Sequence, residues 1–394
     1  MPTRRHFIST TLAAVTASRL EADESREPGD LSSIEKIMRG FVMQRMMDDD
    51  GLCRGCLCAA TLAPWTNEDL AKTEQRRIID MFQNSPDKAG CLTYENALMA
   101  TGEFALSQII RHKATGEDEA RELAHRGIRG ILAVIEEGRH YMPGWLPKPF
   151  GGVSHARDSH EMSVDQYTKA IIALNAWRPL AGKQEQAVID RFFVDAADFF
   201  IARKWRHAYR HRTIVTAATH HHALGLYVPL VQLAARASGD ARYLAEMKNF
   251  DEPIHAILAN ETLESGFNGI SLIAEGFHAA IQAGAEDKRL PQVIEHLWRA
   301  GSRCIDAQGR GFIPRQEPEP DSQGPRLAAI ATIVDPINPD LQATALAEKI
   351  LAAHRDPAQM LHVGDLKHSI SEVSVTSWLV AYWRLRERGV KAAR

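Results

Sequence analysis

No stretch of this chain is long and apolar enough to cross a bilayer, and no block of like charge runs through it. The first absence excludes a helical membrane span. The second, with a formal net charge of −3, removes the electrostatic support that nucleic-acid binding needs. Period-2 alternation of apolar and polar residues is rare, which argues against a sheet-based fold. Cysteine is scarce too: Cys53, Cys56, Cys58, Cys91 and Cys304 are the whole set. Cys53-Arg54-Gly55-Cys56-Leu57-Cys58 is the one cluster, and no second CxxC exists. A closed zinc site would therefore need a fourth ligand from Cys91 or a histidine. A disulfide within the cluster is the leading expectation, with a metal site and free buried thiols as alternatives. The cluster reads as structural rather than catalytic, and Cys304, far along the chain, is expected to stand apart from it.

What is present suits a globular domain. The chain has 394 residues, 45% apolar and 25% charged, enough to bury a large core. Its N-terminus, Thr3-Arg4-Arg5-His6-Phe7-Ile8-Ser9, has the paired arginines of a twin-arginine export signal. A modest apolar stretch to Ala17 follows, with small residues at Ala14 and Ala17 for cleavage. Residues 1–31 are thus expected to be signal and linker, residues 32–394 one domain, and the location periplasmic or secreted.

Apolar residues recur at three- and four-residue spacing almost everywhere, so the expected class is all-α. Richly apolar helices are expected to begin near 93, 163, 217, 265, 326 and 369. One-sided amphipathic helices lie between them, near 119–138, 185–205, 241–259, 288–304 and 340–354. An opening helix, 32–47, can pair with the last. A helix apolar on most faces must be enclosed by neighbours, so the alternation predicts six hairpins closed into a ring, an (α/α)6 toroid of about twelve helices. Loops at 48–92, 139–162, 305–325 and 355–368 interrupt it. The loop 139–162 carries Tyr141, Trp145 and Phe150 among Gly, Pro, His and Arg, a composition for the rim of a cleft.

That rim leads into Ser163-Val164-Asp165-Gln166-Tyr167. Ser163 with Gln166 reads as a capping box, placing Asp165 in the first turn of an inner helix. Asp165 there either complements the helix dipole or faces the ring's mouth as a catalytic carboxylate. Glu95 and Asn96 open another inner helix, and Glu95 is the candidate second carboxylate. Trp145 or Tyr141 is the candidate for stacking on sugar faces. Arg157 is the candidate for pairing a substrate carboxylate, with Lys148 and Arg139 as alternatives, and His155 lies in the same loop. His160, Gln166, Tyr167 and Asn96 are further candidate binding residues, as is His221 from His220-His221-His222, of which one can face the cleft. His207 and His211 have zinc-pair spacing but sit among arginines, so a solvated basic helix end is the reading. Asp48-Asp49-Asp50 lacks a partner motif and reads as a loop cap.

The segment Ser163 to Tyr167, after Gly144 to Pro147, resembles the Ser-x-Asp-Gln-Tyr segment of carbohydrate-active (α/α)6 toroids, whose broader relatives are the unsaturated glucuronyl and rhamnogalacturonyl hydrolases. The ending, Ser371-Glu372-Val373-Ser374 through Trp378 to Tyr382-Trp383, resembles the final inner helix of such barrels. The resemblance implies a glycoside hydrolase acting on oligosaccharides that contain unsaturated uronic acids, with Asp165 matching one catalytic aspartate by position. Where those hydrolases carry another aspartate, in a His-Asp-like segment, this chain reads Thr93-Tyr94-Glu95-Asn96-Ala97. The expected partner is an oligosaccharide, with no cofactor and no metal at the catalytic site. A polysaccharide lyase on the same fold is the alternative, with Tyr167, His160 and Asn96 as its candidate groups. A non-catalytic sugar-binding or scaffold protein is another. The third is a zinc enzyme built on Cys53, Cys56 and Cys58, as the lanthionine cyclases build one on a helical toroid.

Overall fold

Twelve principal helices alternate between an outer and an inner layer in the computed structural model, which describes residues 30–73, 87–159, 161–209, 212–215, 221–260, 266–313 and 319–392. The outer helices are α1 (Leu31–Phe41), α3 (Asp118–Arg139), α5 (Lys183–Ala202), α7 (Asp251–Ala259), α9 (Arg289–Ser302) and α11 (Ala343–Ala353). The inner ones are α2 (Ala97–Thr115), α4 (Val164–Trp177), α6 (Leu224–Ser238), α8 (Gly266–Gln282), α10 (Gly324–Ala328, with a second piece at Ala331–Val334) and α12 (Glu372–Ala392). Inner helix α2 packs against α4, α4 against α6, α6 against α8, α8 against α10, α10 against α12, and α12 back against α2, so the ring closes. The first helix lies on the last: α1 packs on α12, and Trp383 donates its indole N–H to Glu35 at 3.2 Å. The fold is an (α/α)6 toroid, as the alternation of apolar and one-sided helices requires. Residues 1–29, where the export signal is expected, lie outside the described residues. Among the described residues no helix is long and apolar enough to cross a membrane.

The layers follow from sequence. Helix α3 buries Leu123, Ile128, Ile131 and Ile135 on one stripe, whereas α2 buries nearly every residue from Ala97 to Arg111. Small residues set the spacing of the inner ring. A Cβ on Gly225 of α6 would lie 2.3 Å from the Leu272 carbonyl oxygen of α8, and one on Gly276 would lie 2.0 Å from the Gly225 carbonyl oxygen. Only glycine allows backbones this close.

Because every inner helix is enclosed, its polar side chains must satisfy one another along the axis of the ring. The fully buried Lys169 of α4 does so with Glu103 of α2 at 2.9 Å and Glu275 of α8 at 2.8 Å, and also reaches Ser271. Thr376 and Ser377 of α12 donate to Glu103, and Arg384 pairs with Glu275 at 3.2 Å. Burial alone would disfavour ionisation of Glu275, but Lys169 and Arg384 outweigh it and hold that carboxyl below its usual value.

Among the described residues three short antiparallel strand pairs decorate the ring, at 57–58 with 63–64, 206–209 with 212–215, and 311–313 with 319–321. The middle one corrects an expectation. The basic segment after α5 is not a helix end: His207 pairs with Ile214 in a strand register, and His211 falls outside the described residues. Helix α5 stops at Ala202 because Lys204 and Trp205 adopt left-handed backbone (φ 52° and 59°), which turns the chain and buries Trp205 against Phe200, Tyr227 and Phe250. Asp48 is the loop cap expected of it. Its carboxylate accepts from the Leu52 backbone N–H at 2.8 Å and the Tyr94 hydroxyl at 2.9 Å.

Candidate functional site

Side-chain contacts tie the starts of five inner helices to one end of the ring. Asp165, in the first turn of α4, accepts from the Asn268 side chain of α8 at 3.1 Å, and His222, before α6, stands 3.8 Å from its other oxygen. Gln166 crosses from α4 to the start of α2, donating to the Glu95 carbonyl at 2.6 Å and accepting from the Leu98 N–H at 3.2 Å. Asn96, at the start of α2, donates to Glu372 at the start of α12 at 2.9 Å. The mouth is therefore a set of helix N-termini, where backbone N–H groups and the helix dipoles favour anionic side chains and anionic ligands.

Within this set Asp165 differs from its neighbours. Its side chain keeps 23% of its surface exposed, and His222 keeps 33%. Asp165, His222 and Asn268 thus form a half-open group contributed by α4, α8 and the turn that leads into α6. Among the described residues the Asn268 Oδ1 is buried without a hydrogen-bond partner. Beside them, burial and the neighbouring His222 hold His221 below the usual imidazole pKa.

Gln166 overturns the expected capping box. Ser163 is the N-cap of α4 but makes no side-chain capping bond, and the Gln166 amide is spent on the neighbouring helix. A buried inter-helix bridge satisfies two backbone groups that water cannot reach, and a capping box would leave them unpaired. Glu95 is likewise not an open carboxylate. It is buried, and its Oε1 lies 2.5 Å from the ammonium of Lys148, which also stands 3.4 Å from Glu161. Lys148 is itself only 2% exposed, so it is a buried counter-ion here.

The rim loop supplies packing where contacts to a substrate were expected. Trp145 is buried between Tyr141 and Phe199, with ring centroids 5.3 and 5.8 Å away, and cannot present a face to a sugar. Tyr141, more than half exposed, is the aromatic of this loop that can. The Tyr167 hydroxyl is fully buried, donating to the Gly144 carbonyl at 2.7 Å and accepting from the Leu146 N–H at 2.5 Å, which pins the loop to α4. Arg157 pairs with Glu137 at 2.8 Å. His160 lies outside the described residues.

The disulfide expected within the cluster is not formed: Cys53, Cys56 and Cys58 keep their thiols, and burial pushes the Cys53 thiol up to about 12. The three clustered thiols do not converge on one point either. Cys53 packs in the main core, whereas Cys56, Cys58 and Cys91 share a second cluster with Trp65, Leu70 and Leu92. Cys304 stands apart, as expected, its thiol directed at the Ala300 carbonyl.

Reading the sequence singled out Asp165 but missed its partners. His222 was one of three adjacent histidines that spacing could not separate, and Asn268 follows Gly266-Phe267 with no signal of its own. Glu372 does carry a signal, since it opens the last inner helix in Ser371-Glu372-Val373-Ser374.

No family model matches the chain, and no curated protein matches it in sequence. Solved structures do share its fold. An unsaturated glucuronyl hydrolase specific for heparin superposes with a TM-score of 0.56 at 11% identity, over 92% of this chain and 98% of that one. Cellobiose 2-epimerase from Bacillus thermoamylovorans gives 0.54 at 9% identity, over 90% and 98%. A polysaccharide lyase gives 0.51 at 10% identity, over 81% and 99%. The distant resemblance read from the two motifs is therefore borne out at the level of the fold, a toroid on which hydrolase, epimerase and lyase chemistry all occur.

Proposed function

We propose that this protein is a glycoside hydrolase acting on oligosaccharides that carry an unsaturated uronic acid, with Asp165 as its acid–base group. The observation that carries the reading is the half-open Asp165, oriented by Asn268 and faced by His222 at the mouth of the ring. The helix N-termini around it suit an anionic sugar. Glu95, committed to Lys148, does not supply a second free carboxylate, which disfavours a two-carboxylate displacement and favours chemistry that one group can run. Hydration of an enol ether is such chemistry. A proton from Asp165 to the ring alkene leaves positive charge on the carbon beside the ring oxygen, and water adds there as the carboxylate takes up its proton. The resulting hemiketal opens to a ketone, and the hemiacetal this leaves at the anomeric carbon collapses to an aldehyde, breaking the glycosidic bond and releasing the neighbouring sugar with the proton it needs.

The test uses oligosaccharides ending in an unsaturated uronate, whose conjugated double bond absorbs in the ultraviolet. Hydrolysis by this route removes the absorbance. Asp165→Asn keeps the shape of the side chain and is expected to lower the rate by roughly 10²-fold or more at an unchanged melting temperature. Near-normal turnover in that variant overturns the assignment. Absorbance gained from an intact polyuronate would make the protein a lyase, and saturable binding without any change would make it a sugar-binding protein.

A further inference from the structure

Away from Asp165, the same end of the ring holds a second group of side chains that the proposed reaction does not use. Cys56 comes from the segment before α2, His362 from the segment before α12, and Glu372 from the first turn of α12. Cys56 is some three hundred residues from the other two in the chain, yet the three ligating atoms lie within 4.8 Å of one another. The Cys56 Sγ stands 3.9 Å from the His362 Nε2 and 3.9 Å from the Glu372 Oε2, and those two are 2.8 Å apart. All three residues are buried, so this is not a chance meeting of surface charges.

We propose that Cys56, His362 and Glu372 form a zinc-binding site with three protein ligands and an open fourth position. The separations fit the ion. A point about 2.05 Å from both Nε2 and Oε2, in the plane of the three donors, lies about 2.1 Å from the sulfur, against usual bond lengths of ~2.0–2.2 Å to nitrogen or oxygen and ~2.3 Å to sulfur. The donor set of one thiolate, one imidazole and one carboxylate is one that zinc accepts, and a thiolate with a carboxylate balances its charge. The supporting contact is also in place: Asn96 donates to Glu372 Oε1, the carboxylate oxygen other than the one that meets Cys56 and His362, and orients the carboxylate. Without a cation, burial followed by the charges of Glu372 and Glu95 pushes the Cys56 thiol well above its usual pKa.

Placed there, zinc would fasten three stretches of chain to one another: the loop before α2, the loop before α12, and α12 itself. Because Asn96 follows Glu95, and the Glu95 carbonyl is held by Gln166 beside Asp165, the metal would also steady the mouth.

The test is metal content, which is read without substrate and so stands apart from the hydrolase proposal. Untagged protein is exposed to zinc, dialysed, and assayed by elemental mass spectrometry. About one zinc per chain is expected, falling below about 0.1 in Cys56→Ser and Glu372→Gln while Cys53→Ser and Cys58→Ser keep it. Cobalt substitution should give the wild type an intense thiolate-to-cobalt band, and bound metal should protect one thiol from alkylation. These two readings on the wild type keep the proposal testable if Cys56→Ser does not fold. A wild type that retains no zinc and shows no thiolate-to-cobalt band overturns the site, as does full zinc content in Glu372→Gln.

Discussion

Lys169 is the most demanding test of how the toroid holds itself together. Its ammonium is 1% exposed and sits between Glu103 at 2.9 Å and Glu275 at 2.8 Å, so Lys169→Met strands two buried carboxylates at the axis of the ring. Neither is left bare, because Arg384 still reaches Glu275 while Thr376 and Ser377 still donate to Glu103. Removing one partner of a buried ion pair typically costs about 3–5 kcal/mol, and 4 kcal/mol is a fair centre here. At ~2.1 cal/mol/K per residue, a chain of this length unfolds with an entropy near 0.8 kcal/mol/K, so that loss lowers the melting temperature by about 5 °C. The pH dependence follows from the depressed carboxyl of Glu275. A carboxylate whose folded pKa lies below its unfolded value, about 4.3, stabilises the fold above that value and loses the contribution as pH falls through the folded pKa. Lys169→Met removes most of that contribution. The gap between wild type and variant should therefore be widest near neutrality and narrow below about pH 4. Calorimetry at several pH values reads both effects. Adding Glu103→Gln should recover part of the loss, since one stranded charge is then gone. A drop of less than about 1 °C, or a gap that ignores pH, would refute the account of the axis as an ion-pair core.

Three further outcomes follow from the geometry. Tyr167→Phe strips the partners from the Gly144 carbonyl and the Leu146 N–H, and should cost ~1–3 kcal/mol, seen as a lower urea midpoint at unchanged slope. Gly225→Ala places a methyl against the backbone of α8, which cannot turn aside, and should cost about 1–3 kcal/mol; an unchanged thermal melt would mean that α6 and α8 separate easily. Glu95→Gln takes from the buried Lys148 the carboxylate nearest to it, Glu161 standing farther off at 3.4 Å, and should destabilise by about 3 kcal/mol; lost turnover at an unchanged melting temperature would instead return Glu95 to the catalytic list.

The division between outer and inner helices was legible because it depends on periodicity alone. A one-sided stripe such as that of α3 has a single face to bury, and an all-round apolar helix such as α2 must be enclosed. Most helix starts followed to within a few residues, though α6 begins at Leu224 against an expected 217 and α7 at Asp251, after a 3-10 stretch, against an expected 241; the placing of Asp165 at an inner-helix start followed from them. The position of α5's end did not, because the left-handed turn at Lys204 and Trp205 depends on a pocket formed by Phe200, Tyr227 and Phe250.

The partners of each polar side chain were decided by the tertiary structure. Gln166 looks like half of a capping box when only its own helix is in view, yet it bridges to α2 because ring closure leaves backbone groups there out of reach of water. Trp145 looks like a sugar platform among rim residues, and is packed on Phe199 because the loop folds down onto α5. Cys56 looks like a partner for Cys53 or Cys58, and meets His362 and Glu372 because the first and last inner helices are neighbours in the ring. Local spacing along a chain determines which face of a helix is buried. Which polar groups meet across the ring depends on closing contacts between residues hundreds of positions apart, and those exist only once the toroid has formed.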